Sequence, residues 1–218
     1  MKTNKINVKT ISDQIYNHLL YQIISKQRPP KEKLSEAKLA KEFGISRVPV
    51  REALVRLTKE GLVKSIPRYG KYVNELTVKD VKEIFELRQV LEPMALRLGI
   101  ARIDLKKIHQ VRDMLDKSDT LSQTQRRDLM LKADAKLHYL IRHSAGNKHL
   151  EEMLQKFDNL AGPLRAFDSV ESTRMDELAR ERKEIVDAII RQNCSEAEEL
   201  LRIHIKKGED SIIKKMSA

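Results

Sequence analysis

Two predicted helices joined by a tight turn constrain this chain more than any other feature. Ser35 is a candidate N-cap for a short helix that ends at Gly44, a residue suited to the left-handed backbone conformation that closes helices. Ser46 is the candidate N-cap of the next helix, which runs to about Glu60 and stops before Gly61. Helices connected this closely predict a helix-turn-helix.

Further predicted elements extend this pair to a winged helix-turn-helix over residues 1–76. Apolar residues at three- and four-residue spacing predict another helix over 10–25. Short β-like runs at 62–66 and 71–74 flank Pro67-Arg68-Tyr69-Gly70, which has the composition of a hairpin turn. This hairpin is the predicted wing.

The remaining residues, 77–218, are predicted to form an all-α bundle. Thr77 followed by Asp80 resembles a capping box and opens its first helix. The predicted helices cover residues 78–101, 104–117, 121–145, 147–160, 171–192 and 195–216. Pro93 is expected to kink or break the first of them, and Ala161-Gly162-Pro163 is expected to form a loop. The predicted fold class is mainly α.

Positive charge is concentrated in the first third of the chain. Of the formal net charge of +11, residues 1–76 carry +9, from 16 Lys and Arg against 7 Asp and Glu. Such a local field suits a module that binds a polyanion such as DNA. A solvated basic face that serves solubility would look the same, so charge by itself leaves both interpretations open.

The composition also bears on where the protein works. The single cysteine, Cys194, cannot form an internal disulfide. No apolar run approaches the ~18 residues that cross a bilayer, and the N-terminal residues Met1 to Lys5 lack the apolar stretch of a signal peptide. The protein is therefore expected in the cytoplasm, with no membrane partner.

Polar residues lie where a winged helix-turn-helix contacts DNA. The N-terminal end of its last helix reaches base edges and phosphates in the major groove, and the wing tip reaches the minor groove or backbone. The candidates are Ser46, Arg47 and Arg51 on the helix, and Arg68, Tyr69 and Gly70 at the wing. Arg56 and Lys59 lie further along the helix and are expected to contact phosphates or only solvent.

The first third of the chain resembles the DNA-binding domain of GntR-family bacterial transcription regulators. The matching residues are Leu34-Ser35-Glu36, Leu39-Ala40, Gly44 to Leu54, Leu57, Glu60 to Val63 and Gly70. One departure is Lys31, where the family usually has Gly after Pro, in a loop outside the recognition helix. The resemblance implies DNA contacts by Ser46, Arg47, Pro49, Arg51 and Gly70.

Residues 77–218 resemble the helical FCD domain of the FadR subfamily. The landmarks are Glu86-Leu87-Arg88, Leu91-Glu92-Pro93, Asp134 with His138, Ala145-Gly146-Asn147 with Leu150, and Ile185, Ala188-Ile189 with His204. The resemblance implies a divalent metal, such as zinc or nickel, held by one Asp and three His beside a small organic acid. The implied ligands are Asp134, His138 and His204, but Arg182 stands where the third histidine is expected.

Arg182 leaves two outcomes open. A three-ligand metal site could be completed by water or effector, or the site could lack metal and Arg182 could bind a carboxylate bidentately, which we favour. Arg88 is either a second anion contact or the partner of Glu92, one helical turn on. The candidate effector-binding residues are Arg88, Asp134, His138, Arg182 and His204.

These inferences predict a ligand-responsive bacterial transcription regulator, with repression the favoured direction, rather than an enzyme. A homodimer on a pseudo-palindromic operator is expected, because one small winged module buries too little surface for tight operator binding. A small carboxylate effector would shift the population of bundle conformations and, through residues 70–80, change the separation of the recognition helices.

Two rival functions remain. A metal-dependent hydrolase acting on nucleic acid could use Asp134, His138 and His204, although the sequence lacks an HExxH-like base and a nucleophile constellation. A non-specific DNA-binding protein is permitted by charge. A preference for particular DNA sequences would distinguish a regulator from this non-specific binder.

Overall fold

Residues 10–169 and 172–217 are described in the computed structural model, and the chain divides into two units between Leu76 and Thr77. The first unit contains α1 (Ile11–Ile24), β1 (Lys33–Leu34), α2 (Glu36–Phe43), α3 (Arg47–Lys59), β2 (Val63–Ile66) and β3 (Gly70–Val73). The second contains α4 (Val78–Gly99), α5 (Leu105–Ser118), α6 (Gln123–Ser144), α7 (Lys148–Asp168), α8 (Ser172–Ile190) and α9 (Cys194–Ser217), with a 3₁₀ turn at Ile100–Arg102. The segment Met1 to Lys5 and residue 171, the expected start of a helix, lie outside the described residues.

In the first unit, α1 and α2 both pack on α3 and form the predicted helix-turn-helix core. The Ser35 hydroxyl accepts a hydrogen bond from the Lys38 backbone N–H, and so caps α2. Gly44 closes the same helix with a φ of 65°, a conformation that glycine adopts without steric cost. The chain can therefore turn within three residues, 44–46, and start α3 at Arg47.

A small antiparallel sheet completes the winged fold. Its strand order is β1-β3-β2, with Lys33 opposite Tyr72 and Ser65 opposite Lys71. The hairpin of β2 and β3 confirms the predicted wing. The sequence did not predict β1, because its two residues carry no periodicity and are ordered by pairing with the distant β3.

The second unit is the predicted helical bundle, with one correction, the loop at 161–163. Its helix α4 packs along α9, while α5 packs against α6 and α8. Pro93 does not break α4, and the predicted loop at 161–163 is wrong because α7 continues through Pro163. Proline removes one helical hydrogen bond, but both rings are buried, and their apolar packing offsets that loss.

Gly99 allows the end of α4 to meet the end of α6. A Cβ at this position would lie 2.5 Å from the backbone carbonyl carbon of Ser144. Real Cβ atoms do not approach backbone so closely, so any larger residue at position 99 would push the two helices apart.

The capping box at the start of α4 gives a stability prediction. The Thr77 hydroxyl accepts from the Asp80 N–H at 3.1 Å, and the Asp80 carboxylate accepts from the Thr77 N–H at 2.8 Å. Replacing Thr77 by alanine should lower the free energy of unfolding by about 1 kcal/mol, measured by urea denaturation. The control Thr124→Ala, an exposed position in the first turn of α6, should change it much less.

Candidate functional site

The N-terminal end of α3 presents polar side chains to solvent. Ser46 and Arg47 are exposed, and Pro49 is half-buried in the first turn. Ser46 occupies the N-cap position without a side-chain capping bond in the described part of the chain, so its hydroxyl can serve a ligand. A helix N-terminus with exposed donors is suited to phosphate because its backbone N–H groups carry partial positive charge.

Arg51, the other candidate on α3, is held by an acidic residue. Its Nε donates to a Glu36 carboxylate oxygen at 2.9 Å, and the Lys71 Nζ donates to the other oxygen at 3.1 Å. Partial burial raises the pKa of Glu36, but the hydrogen bonds from Arg51 and Lys71 outweigh it and lower this pKa overall. The Arg51 side chain is 62% exposed, so its other N–H donors can contact DNA while its Nε pairs with Glu36.

The wing tip stands across an open groove from α3. Arg68 has a φ of 67° and Gly70 a φ of 113°, so the turn uses the left-handed region twice. Tyr69 is 68% exposed at this tip. The groove is lined by residues that include Arg47, Arg68 and Gly70, so the fold brings the recognition helix and the wing residues to one surface.

Arg56 does more than the sequence suggested. Its guanidinium carbon lies 3.6 Å from the centroid of the Tyr16 ring, and its Nε is 3.3 Å from the Glu60 carboxylate. The Tyr16 hydroxyl donates to the same carboxylate at 2.7 Å. Arg56 therefore ties α1 to α3, a role that no spacing in the sequence could reveal.

The second unit holds a buried cluster of the residues implied as metal ligands. One donor atom each of Asp134, His138 and His204 lies within 4.8 Å of the others, and all three residues are buried. Asp134 and His138 project from one face of α6, and His204 comes from α9. Arg182 lies beside them, with its Nη2 2.8 Å from the Asp134 Oδ1.

A second guanidinium reaches the same carboxylate. The Arg165 Nε donates to the Asp134 Oδ2 at 2.7 Å. Burial raises the pKa of Asp134, but the charges of Arg182 and Arg165 outweigh it and hold this pKa well below its usual range. Arg165 was not a candidate from the sequence, because it lies just after the predicted loop at 161–163 and no local spacing relates it to Asp134.

Both histidines are oriented by buried carboxylates. The His138 Nδ1 lies 2.5 Å from Glu92, and the His204 Nδ1 lies 2.7 Å from Glu181. Burial lowers the pKa of His138, but the negative charge of Glu92 outweighs it and raises this pKa overall, whereas burial lowers the pKa of His204. The carboxylates direct the Nδ1 atoms away from the cluster and leave the Nε2 atoms for it.

Arg88 makes the ion pair that the sequence offered as one of its two roles, and its role as an anion contact stays a prediction. Its Nε donates to Glu92 at 2.6 Å, so the ion pair one turn along α4 is present. Arg88 also lines a narrow pocket with room for about one water molecule. The other polar residues lining this pocket are Arg165, Asp168, Arg182 and His204.

The cluster does not fit a divalent ion. The imidazoles are placed as metal-bound histidines usually are, but both Asp134 oxygens already face guanidinium groups at 2.7 and 2.8 Å. Arginine stays protonated in proteins, so Arg182 can neither ligate a cation nor avoid repelling one. The resemblance implies a third histidine where Arg182 stands.

No helix in the described ranges is long and apolar enough to cross a membrane.

Comparisons with known proteins match both units. Residues 11–73 match the model of bacterial regulatory proteins of the gntR family, and residues 83–207 match the FCD domain. The HTH-type transcriptional regulator YdhC of Bacillus subtilis strain 168 is 30% identical over 88% of this chain and 86% of its own. The HTH-type transcriptional repressor RspR of Escherichia coli K12 is 24% identical over 93% and 89% of the two chains.

A solved structure supports the fold of the second unit. The Zn²⁺-bound FCD domain of TM0439 has a TM-score of 0.53 and 21% identity, and it covers 65% of this chain and 96% of that one. FCD domains can therefore bind metal, although likeness at this level bears on the fold alone. Taken with the two family matches, these findings show that the chain belongs to the GntR family of bacterial DNA-binding transcription regulators and carries an FCD domain.

Proposed function

We propose that this protein is a repressor that binds a pseudo-palindromic operator as a homodimer and is controlled by a small carboxylate effector. Residues 1–76 would bind DNA, and residues 77–218 would bind the effector and dimerise. The observation that carries this proposal is the groove that brings Arg47, at the exposed end of α3, together with the wing residues Arg68 and Gly70. Repression agrees with the name of RspR.

The proposed DNA contacts divide between base edges and the backbone. Arg47 is exposed and has the reach for a bidentate contact with a guanine edge. Ser46 and Pro49 lie in the same turn of α3, where the backbone N–H groups favour phosphate. Arg51 would contact DNA from the next turn, through the donors that Glu36 does not engage. At the wing, Arg68, Tyr69 and Gly70 would follow the minor groove or the adjacent phosphates.

A stripe of apolar side chains on α4 supports dimerisation. Leu87, Val90, Met94 and Leu98 recur at three- and four-residue spacing and are 47%, 66%, 37% and 42% exposed. We call these residues the α4 stripe. Contiguous exposed apolar surface on a helix marks an interaction site, and a second copy suits it because two recognition helices must be held together to read two half-sites. We therefore assign the α4 stripe to the homodimer.

The effector site is the pocket lined by Arg88, Arg182 and His204. Its three arginines outnumber its one carboxylate, Asp168, so the lining favours an anion. The linker to the DNA-binding unit is short, since β3 ends at Val73 and α4 begins at Val78. Effector binding would act through this linker by favouring one bundle conformation over another.

The proposal places the protein with its DNA in the bacterial cytoplasm and assigns it no catalytic activity. The contacts of Asp134 with two guanidinium groups argue against a metal-dependent hydrolase.

The test is selection of binding sites from random duplexes, followed by titration of the selected site. The wild-type protein should select a site with dyad symmetry. Arg47→Ala should reduce discrimination between that site and random DNA by about 1–3 kcal/mol. Lys59→Ala, an exposed cation at the far end of α3, should weaken binding to both DNAs equally and flatten the salt dependence.

Two outcomes would contradict this proposal. Recovery of no preferred site would indicate the non-specific DNA-binding protein. An equal loss on selected and random DNA in both variants would mean that Arg47 contacts only the backbone.

A further inference from the structure

We propose that the Arg182 guanidinium takes the place of a divalent ion, so that this FCD domain binds its anionic effector without metal. The inference rests on the proposed role of the pocket as the effector site. It concerns the cluster of Asp134, His138 and His204, which has the donor types of a metal centre, and the arginine beside it.

The buried charges around Asp134 disfavour a divalent ion. A continuous chain of buried or partly buried ion pairs connects α6, α7 and α8, with N···O distances of 2.5 to 3.2 Å. In order, its groups are Arg142, Asp158, Arg165, Asp134 and Arg182. Three guanidinium groups alternate with two carboxylates, so the chain has one positive charge in excess. A divalent cation added beside Asp134 would meet this excess charge in a medium of low dielectric constant.

The Arg182 guanidinium has unused hydrogen-bonding capacity. Arg182 is 1% exposed, yet its Nε and Nη1 have no hydrogen-bond partner among the residues that the structure describes. Buried donors of this kind are rare, because each costs free energy unless it is satisfied. Arg182 also lines the pocket. Both open donors belong to a residue that lines the pocket, and an anion bound there would satisfy them.

The donors that line the pocket favour a carboxylate as the ligand. A guanidinium offers its N–H groups as a planar fork that matches the two oxygens of a carboxylate. Arg88 and His204 line the same pocket, so further donors converge on one small volume. The geometry points to a compact carboxylate, held by Arg182 where a metal-dependent domain would use its ion.

The experiment starts with full-length protein that has been treated with chelator and dialysed. Zinc is added, excess ion is removed by gel filtration, and zinc per chain is counted by elemental analysis. We expect the wild type to retain close to none. Arg182→His, which supplies the third imidazole, should retain close to one zinc per chain, and Asp134→Ala in that background should abolish retention.

A matched variant separates repulsion from a missing ligand. Arg182→Gln removes the positive charge without adding a strong ligand, and it should retain much less zinc than Arg182→His. Circular dichroism checks folding of each variant. If Arg182→His fails to fold, the wild-type zinc count decides by itself, since about one zinc per chain that Asp134→Ala removes would overturn the proposal.

The second arm uses acetate as the carboxylate probe, with EDTA present and chloride at matched ionic strength as the control. Acetate should raise the melting temperature of the wild type and not that of Arg182→Gln. Absence of a shift in EDTA, or a shift that occurs only when EDTA is omitted, would overturn the proposal. Operator selection is measured separately, so a failure of the proposed function is distinguishable from a failure of this inference.

Discussion

Replacing Val90 by glutamate is expected to convert the protein to a monomer and to weaken operator binding by about 10²- to 10⁴-fold. Val90 is 66% exposed at the centre of the α4 stripe. Across a two-fold axis, the substitution would place carboxylates in an apolar interface, where desolvation is costly without partners. Loss of the dimer removes the second half-site contact, and with it the gain in affinity from linking two recognition helices.

Sedimentation velocity measures the oligomeric state in this experiment, and titration of the selected operator measures the affinity. Met153→Glu is the matched control, because Met153 is 47% exposed on α7 and outside the α4 stripe. This control should remain dimeric and bind normally. A dimeric Val90→Glu protein with normal operator affinity would show that the α4 stripe is not the dimer interface.

Replacing Asp134 by asparagine is expected to lower the free energy of unfolding by about 3–5 kcal/mol. The substitution keeps the shape of the side chain but removes the negative charge between Arg165 and Arg182. Arg182 would then lose its counter-charge, and Arg165 would keep only its ion pair with Asp158 among the pairs of this chain. Leaving a buried charge uncompensated costs more than the intact pair contributes relative to an apolar core.

Urea denaturation measures this effect, with midpoint and slope reported separately. Asp113→Asn, at an exposed position on α5, is the control and should change stability by less than about 0.5 kcal/mol. The double variant Asp134→Asn with Arg182→Gln should recover part of the loss, since one unpaired charge is gone. A loss below about 1 kcal/mol for Asp134→Asn would mean that the ion-pair chain does not carry the stability assigned to it.

Local interactions made much of the first unit and the start of the second predictable. The turn at Gly44, the cap at Ser35 and the capping box of Thr77 with Asp80 each depend on residues within a few positions. Their physical cause is therefore contained in a short stretch of sequence. The helices, the wing and the GntR resemblance followed from such signals.

The misjudged elements depend on contacts between distant segments. Pro93 and Pro163 are helix breakers by local rules, yet each lies inside a helix whose buried face outweighs one lost hydrogen bond. The strand β1 exists because it pairs with β3. Local propensity predicts neither a helix through these prolines nor the strand β1.

For the effector pocket, the sequence by itself supplied the identities of the charged residues but not their partners. Resemblance pointed to Asp134, His138, Arg182 and His204, whereas the bond from Arg165 to Asp134 spans 31 positions of the chain and became visible only in the fold. A buried charge acquires its role from the charges packed against it. That is why only the tertiary structure could decide that two guanidinium groups occupy the carboxylate a metal would need.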